Sequence, residues 1–193
     1  MAILKNIKRV DITELDPATG AVKSETPIKK TIKTAEEAEL KALISEGGED
    51  ILRTDDLILA IVRTPDLLYG YDVTFKDNEF DETVAGIVQG YKVTKTGSSS
   101  DGSEKIKLST PMMSEGNMAK PFKMEIYVGN YSGDSLVNYV KITLNKCEGK
   151  FSDMKIGKEF FSPEFNIKAR ENTKAKLPTQ EIDFIDKLPD ELV

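Results

Sequence analysis

The stretch that decides the fold runs from Phe122 to Asn172 and opens Phe122-Lys123-Met124-Glu125-Ile126-Tyr127-Val128. Phe122, Met124, Ile126 and Val128 point to one side, and Lys123, Glu125 and Tyr127 to the other. After the turn signal Asn130-Tyr131-Ser132-Gly133-Asp134, the pattern resumes with Val140, Ile142 and Leu144 against Tyr139, Lys141, Thr143 and Asn145. A third run sets Phe165, Ile167 and Ala169 against Glu164, Asn166, Lys168 and Arg170. A period of two with one apolar face is the signature of an antiparallel sheet that buries one side and shows the other.

Working outward, the opening from Ile7 to Ile12 alternates as a first strand, and Asp16-Pro17-Ala18-Thr19-Gly20 is a turn signal. Ala21 to Lys33, interrupted by Pro27, reads as an extended return strand at an edge, where proline is tolerated. Thr34-Ala35-Glu36-Glu37 has the form of a capping box. With the apolar stripe Leu40, Leu43, Ile44 and the stop Gly47-Gly48, it predicts a helix. Leu57 to Val62 is a continuous apolar run of strand length, which predicts a strand buried on both faces. Leu68 to Lys76 alternates as a one-sided strand. Asp77-Asn78 is then expected to cap a second short helix carrying Phe80, Val84, Ile87 and Val88 and ending at Gly90. Tyr91–Thr96 and Lys105–Thr110 flank the small, polar stretch Gly97 to Ser103, expected to form a mobile hairpin tip. The predicted architecture is mainly β: antiparallel strands in a sandwich or barrel with one or two flanking helices. Residues 1–172 form a single β-rich domain, and residues 173–193 an acidic arm that adds nothing to the core.

With 193 residues and 39% hydrophobic content, the chain suits one domain of ordinary size. The excess of 33 acidic over 27 basic groups gives a net charge of −6, which disfavours sequence-independent attraction to phosphate backbones or anionic lipid. The start lacks the apolar core of a signal peptide, and no stretch approaches the roughly 20 apolar residues that span a bilayer. Synthesis in the cytoplasm, with no membrane partner, is the expectation. Cys147 is the sole cysteine and, at the end of an alternating strand, reads as a small buried hydrophobe.

Histidine is absent from the sequence, so the usual general base, the serine and cysteine triads and most zinc sites cannot be built. The densest acidic group, Asp72, Asp77, Glu79, Asp81 and Glu82, fails as a calcium loop because Glu82 stands where the sharp turn needs glycine. Neither phosphate-binding glycine pattern occurs. The reading is therefore of a protein that is no enzyme and holds no cofactor or metal. Tyr69, Tyr71 and Tyr127 lie on strands without a basic groove beside them, so they read as core or interface residues and not as a base-stacking platform. Met112, Met113 and Met118 sit in a loop, where they form either a contact surface or a segment folded back on the core.

Several segments together resemble the tail tube proteins, or major tail proteins, of bacteriophages and phage-derived particles of Gram-positive bacteria. They are Leu68-Tyr69-Gly70-Tyr71-Asp72-Val73-Thr74-Phe75-Lys76-Asp77-Asn78, then Phe122 to Tyr127, Tyr139 to Lys150 with its end Cys147-Glu148-Gly149-Lys150, and Glu159-Phe160-Phe161-Ser162-Pro163-Glu164-Phe165 through Asn172. The likeness spans about Leu68 to Asn172. It implies hexameric rings that stack into a hollow tube, a passive conduit in which DNA is passing cargo. The implied partners are further copies of the chain, a sheath protein, a tape-measure protein, the baseplate and a tail terminator. The implied location is the virion tail or a phage-tail-like bacteriocin, contractile or not. Sheet edges open in one subunit would be closed by neighbours around the ring. The residues implied to line the bore are Lys123, Glu125, Tyr127, Lys141, Thr143, Asn145, Lys168 and Arg170. Ring-to-ring contacts fall to the 16–20 turn, residues 47–65 and the two ends of the chain. The alternative is another β-rich protein of tail assembly, a completion factor or binding module.

Overall fold

The computed structural model describes residues 3–24, 27–97, 104–112, 120–150 and 162–190. In chain order the elements are β1 (Ile3–Glu14), β2 (Lys29–Ile32), β3 (Ala35–Ser45), β4 (Glu49–Arg53), β5 (Ile58–Arg63), β6 (Leu67–Asp77), α1 (Glu82–Val88), β7 (Lys92–Thr96), β8 (Lys105–Ser109), β9 (Phe122–Ser132), β10 (Ser135–Lys150), β11 (Glu164–Arg170) and β12 (Gln180–Ile185). The protein is mainly β and antiparallel. Its main sheet runs β2-β1-β9-β10-β11-β6-β3, with β12 also paired to β10, while β4-β5 and β7-β8 are separate hairpins.

The alternation in 122–172 fixes the sheet's centre. Val10, Ile12, Met124, Ile126 and Leu144 from one half share a core with Val73, Phe75, Phe165 and Ile167 from the other, so the two halves face each other across it. Among the described residues the sheet does not close: β2 and β3 end it, and no ladder joins them. Phe75 and Phe165 stand opposite in register, with ring centroids 6.1 Å apart. Helix α1 covers the core through Val84, Ile87 and Val88, and lies so close to β10 that a Cβ on Gly149 would collide with the Val88 carbonyl. Cys147 is fully buried in the same core, as its place in the alternation predicts, and burial pushes its thiol pKa up.

Three expectations are corrected. Residues 35–45 are strand, not helix: they pair with β6 from Ala35 opposite Asp77 to Ser45 opposite Leu67. Ala38 and Leu40 turn to the core while Glu37, Glu39 and Lys41 face out, and that tertiary fit outweighs helix propensity worth only tenths of a kcal/mol per residue. Thr34 caps no helix. Its hydroxyl donates to Asp77 at 2.6 Å, so each presumed cap satisfies the other across the strands, and the true N-cap of α1 is Asp81, which accepts from the amides of Thr83 and Val84. Second, the strand at 58–63 exists, but it is exposed along its whole length. Third, among the described residues the tail adds no core residue, yet it supplies β12, which pairs with β10 from Tyr139 to Leu144 where no other described strand does on that side.

The first strand, the one-sided strand at 67–77 and the 16–20 turn stand as read; Gly20, at φ 71°, adopts the left-handed backbone that the turn requires. Of the 21–33 return, Lys29–Ile32 is strand and forms the sheet edge. Met112 is exposed; the hairpin tip at 98–103, Met113, Met118 and the Glu159-Phe160-Phe161 segment lie outside the described residues. Among the described residues, no helix is long and apolar enough to cross a membrane.

A candidate assembly surface

Strands β3 and β6 form one long ribbon that continues, after a bend, into β4 and β5. The bend is built by Gly47 and Gly48. The Gly47 amide donates to the Asp66 carboxylate at 2.7 Å and the Thr64 amide to the Gly48 carbonyl at 2.9 Å. A Cβ on Gly47 would strike the Thr64 carbonyl, so only glycine lets the two chains approach here. Beyond it Ile51 stands opposite Ile61 and Leu52 opposite Ala60, and the ribbon turns at Thr54, whose amide donates to Leu57 at 2.8 Å.

This extension is apolar and uncovered. Ile51, Leu52, Leu57, Ile58, Leu59, Ile61 and Val62 are each between 50 and 63% exposed. They belong to both faces of the ribbon, and its exposed ion pair, Arg63 to Glu49 at 2.9 Å, sits at the base. Ile44, Leu67, Leu68 and Tyr69 carry the exposure back onto the main sheet. A lone two-stranded ribbon is marginal in water, and a contiguous apolar surface of this kind marks an interaction site.

The residues expected to line a bore divide into two groups. Lys123, Glu125, Tyr127, Lys141, Thr143 and Asn145 share the outer face of β9 and β10, whereas Lys168 and Arg170 lie on β11, beside Glu148 and Gly70 in the ladders. The face neutralises itself. Lys123 reaches Glu125 at 3.3 Å, and Lys141 reaches Asp183 at 2.9 Å, a bond that raises the Lys141 pKa. Arg170 lies over the Tyr69 ring at 5.4 Å and donates to the Ala169 carbonyl.

Tyr127, Thr143 and Asn145 are buried within the single chain. Asn145 donates to the Pro178 carbonyl and to Glu181, both at 2.9 Å. Tyr127 lies under Arg9, whose guanidinium is 5.1 Å from the ring centroid, and burial raises its hydroxyl pKa. Arg9 and Asp11 are themselves only 3% and 1% exposed. The Arg9 Nε donates to Asp11 at 2.8 Å, Thr31 donates to Asp11 at 2.7 Å, and the Arg9 terminal nitrogens donate to the carbonyls of Pro189 and Asp190 at 2.6 and 3.0 Å. The alternation of Arg9 and Asp11 with Val10 and Ile12 puts them on this face, but no sequence signal says that the tail crosses over them.

Among the described residues, no group of three or more Cys, Asp or Glu side chains could hold a metal. A groove of about 600 Å³ between the 16–20 turn and the end of β10 is lined by Lys120, Lys146, Lys150, Lys168 and Lys174, of which Lys120 pairs with Glu14 at 3.1 Å, Lys146 with Glu148 at 3.0 Å and Lys174 donates to the Pro17 carbonyl. No protein-family model matches this chain, and no curated protein is detectably similar to it.

Proposed function

We propose that this chain is a structural subunit that polymerises into the inner tube of a phage tail or phage-tail-like particle. Its copies form rings, hexameric by the tail-tube resemblance, which stack to leave a passive conduit. The observation that carries this reading is the β4-β5 ribbon, which leaves the body of the protein with apolar side chains exposed on both faces. A second copy is the partner best suited to it, because the same molecule also offers open sheet edges at β2, β3 and β12. An edge strand with free backbone donors and acceptors is an aggregation hazard unless an identical neighbour completes it, and a head-to-tail contact that closes does so in a ring.

The polar face fits a conduit. Its cations are paired on the same chain, Lys123 with Glu125 and Lys141 with Asp183, so a passing duplex would find few unpaired charges to hold its phosphates. Outside the tube, a sheath protein, a tape-measure protein, the baseplate and a terminator are the proposed partners. Electron microscopy of the purified protein across a concentration series tests the reading: rings and tubes are expected, and persistent monomers would refute it. Closed small oligomers that never stack would favour the completion-factor alternative.

A further inference from the structure

The segment from Gln180 to Asp190 is bound to the body of the protein in an unusual way. It pairs with β10 from Tyr139 opposite Ile185 to Leu144 opposite Gln180, then crosses the outer face to place the carbonyls of Pro189 and Asp190 on Arg9. Most of its fixed contacts are a backbone ladder, hydrogen bonds and the ion pair of Asp183 with Lys141. Of its apolar side chains, Ile185 and Leu188 are half-buried beside Arg9, but Ile182 is 55% and Phe184 63% exposed.

The seat is built more firmly than its occupant. Arg9, Asp11 and Tyr127 are buried there; one Arg9 terminal nitrogen donates to the Pro189 carbonyl, and the other is shared between Asp11 and the Asp190 carbonyl. Charge is complementary. The segment carries Glu181, Asp183, Asp186 and Asp190 against Lys187, while the seat presents Lys8, Arg9, Lys33 and Lys141 against Asp11 and Glu125. The connection is short and strained: Asn172 and Leu177 close a tight turn by mutual backbone hydrogen bonds at 3.1 Å, and within it Lys176 holds φ at 57°, a left-handed conformation that side chains other than glycine adopt at a cost. Only Pro178 and Thr179 separate that turn from β12.

We propose that this strap is exchanged between copies, so that residues 180–190 of one chain seat on β10 and over Arg9 of its neighbour. The inference rests on the reading that the chain assembles with itself. All the contacts made within one chain are reproduced in the exchanged form, which is why swapping an element between identical subunits is a low-cost route to association. Exchange adds two gains: the turn at Lys176 can relax, and Ile182 and Phe184 are carried to a subunit boundary where apolar side chains can be covered.

Single-cysteine variants test it. Lys141 and Asp183 stand opposite in the ladder, and opposite residues in an antiparallel pair are about 4.5–5.5 Å apart at Cα, within the range a disulfide spans. Native Cys147 is fully buried and does not compete. A preparation of Lys141→Cys is mixed with one of Asp183→Cys as dilute monomers, concentrated until it assembles, oxidised, and run on a non-reducing gel. Exchange at random between the two variants in equal amounts predicts that up to about half of the protein becomes the mixed covalent dimer, with at least tenfold less from Lys123→Cys mixed with Asp183→Cys, because Lys123 lies on β9 away from the strap. The double variant Lys141→Cys/Asp183→Cys, kept dilute, is expected to close within one chain. A mixed dimer no more abundant than the Lys123 control overturns exchange, and failure of the double variant to cross-link at all overturns the seat. Tubes without the mixed dimer would sink exchange and leave the tube reading standing. Mixed dimers without tubes would do the reverse.

Discussion

Replacing Ile51 by glutamate and Ile61 by lysine attacks the proposed contact while sparing the fold. The two residues stand opposite each other on the β4-β5 ribbon and are 50% and 53% exposed in the single chain. Full burial of an isoleucine is worth about 1.5–3 kcal/mol, so covering the exposed half of each with a neighbour yields about 1 kcal/mol apiece. The double variant forfeits that, about 2 kcal/mol, and must also desolvate two charged groups, which adds about 2 kcal/mol even when they pair with each other. Opposite charges directly across the ribbon favour the pairing by about 0.2–1 kcal/mol, so the hairpin itself persists. A loss near 4 kcal/mol per contact corresponds to about a 10³-fold rise in the concentration at which assembly begins. Light scattering and sedimentation velocity over a dilution series read that threshold, and a melting curve on the dilute monomer reads the fold. The expected result is a raised threshold with an unchanged Tm. Assembly at the wild-type threshold would refute the role given to the ribbon.

Ile126→Lys puts an unpaired cation at the centre of β9, where the native side chain is buried; a loss of about 4 kcal/mol in denaturant unfolding is expected, with the monomer itself failing. Asp81→Ala removes the N-cap of α1 and is expected to cost about 1 kcal/mol, with Asp81→Asn retaining most of it. Burial alone would raise the Asp81 pKa, but the bond from Lys30 and the amides of Val84 and Thr83 hold it below the ordinary value. This contribution is therefore present above the unfolded carboxylate pKa of about 3.9 and is lost as pH falls through the lower folded value, so the gap in stability between wild type and Asp81→Asn is expected to close in acid. Truncation after Asn172 is expected to spare folding, because the core draws nothing from beyond Ala169, and to impair stacking; a truncated chain with no cooperative melting transition would refute that division.

How much of this could be read from sequence depended on whether a segment's partner was local. Phe122 to Val128 and Val140 to Leu144 announced both their strand character and their buried face, since alternation reports the environment directly. Residues 35–45 misled because Thr34 and Glu37 imitate a helix start, while the deciding fact, the ladder to β6, lies a ribbon's length away in sequence. The apolar run at 57–62 gave the strand but not its cover: composition assumes that the same chain buries what is apolar, and here it does not. In the tail, Ile182 and Phe184 alternate with Glu181 and Asp183, yet six residues between prolines become a strand only because β10 leaves that edge free. The polar face was legible as a face. Its partial burial was not, because the lid over Arg9 and Tyr127 comes from residues some 180 positions away from Arg9.

Negative-stain electron microscopy of the protein, concentrated stepwise from a dilute monomer, tests the central claim most directly. Rings of uniform diameter with a central hole, stacking into tubes as concentration rises, are the predicted outcome. A protein that stays monomeric at every concentration, with its β4-β5 ribbon still exposed, would contradict it.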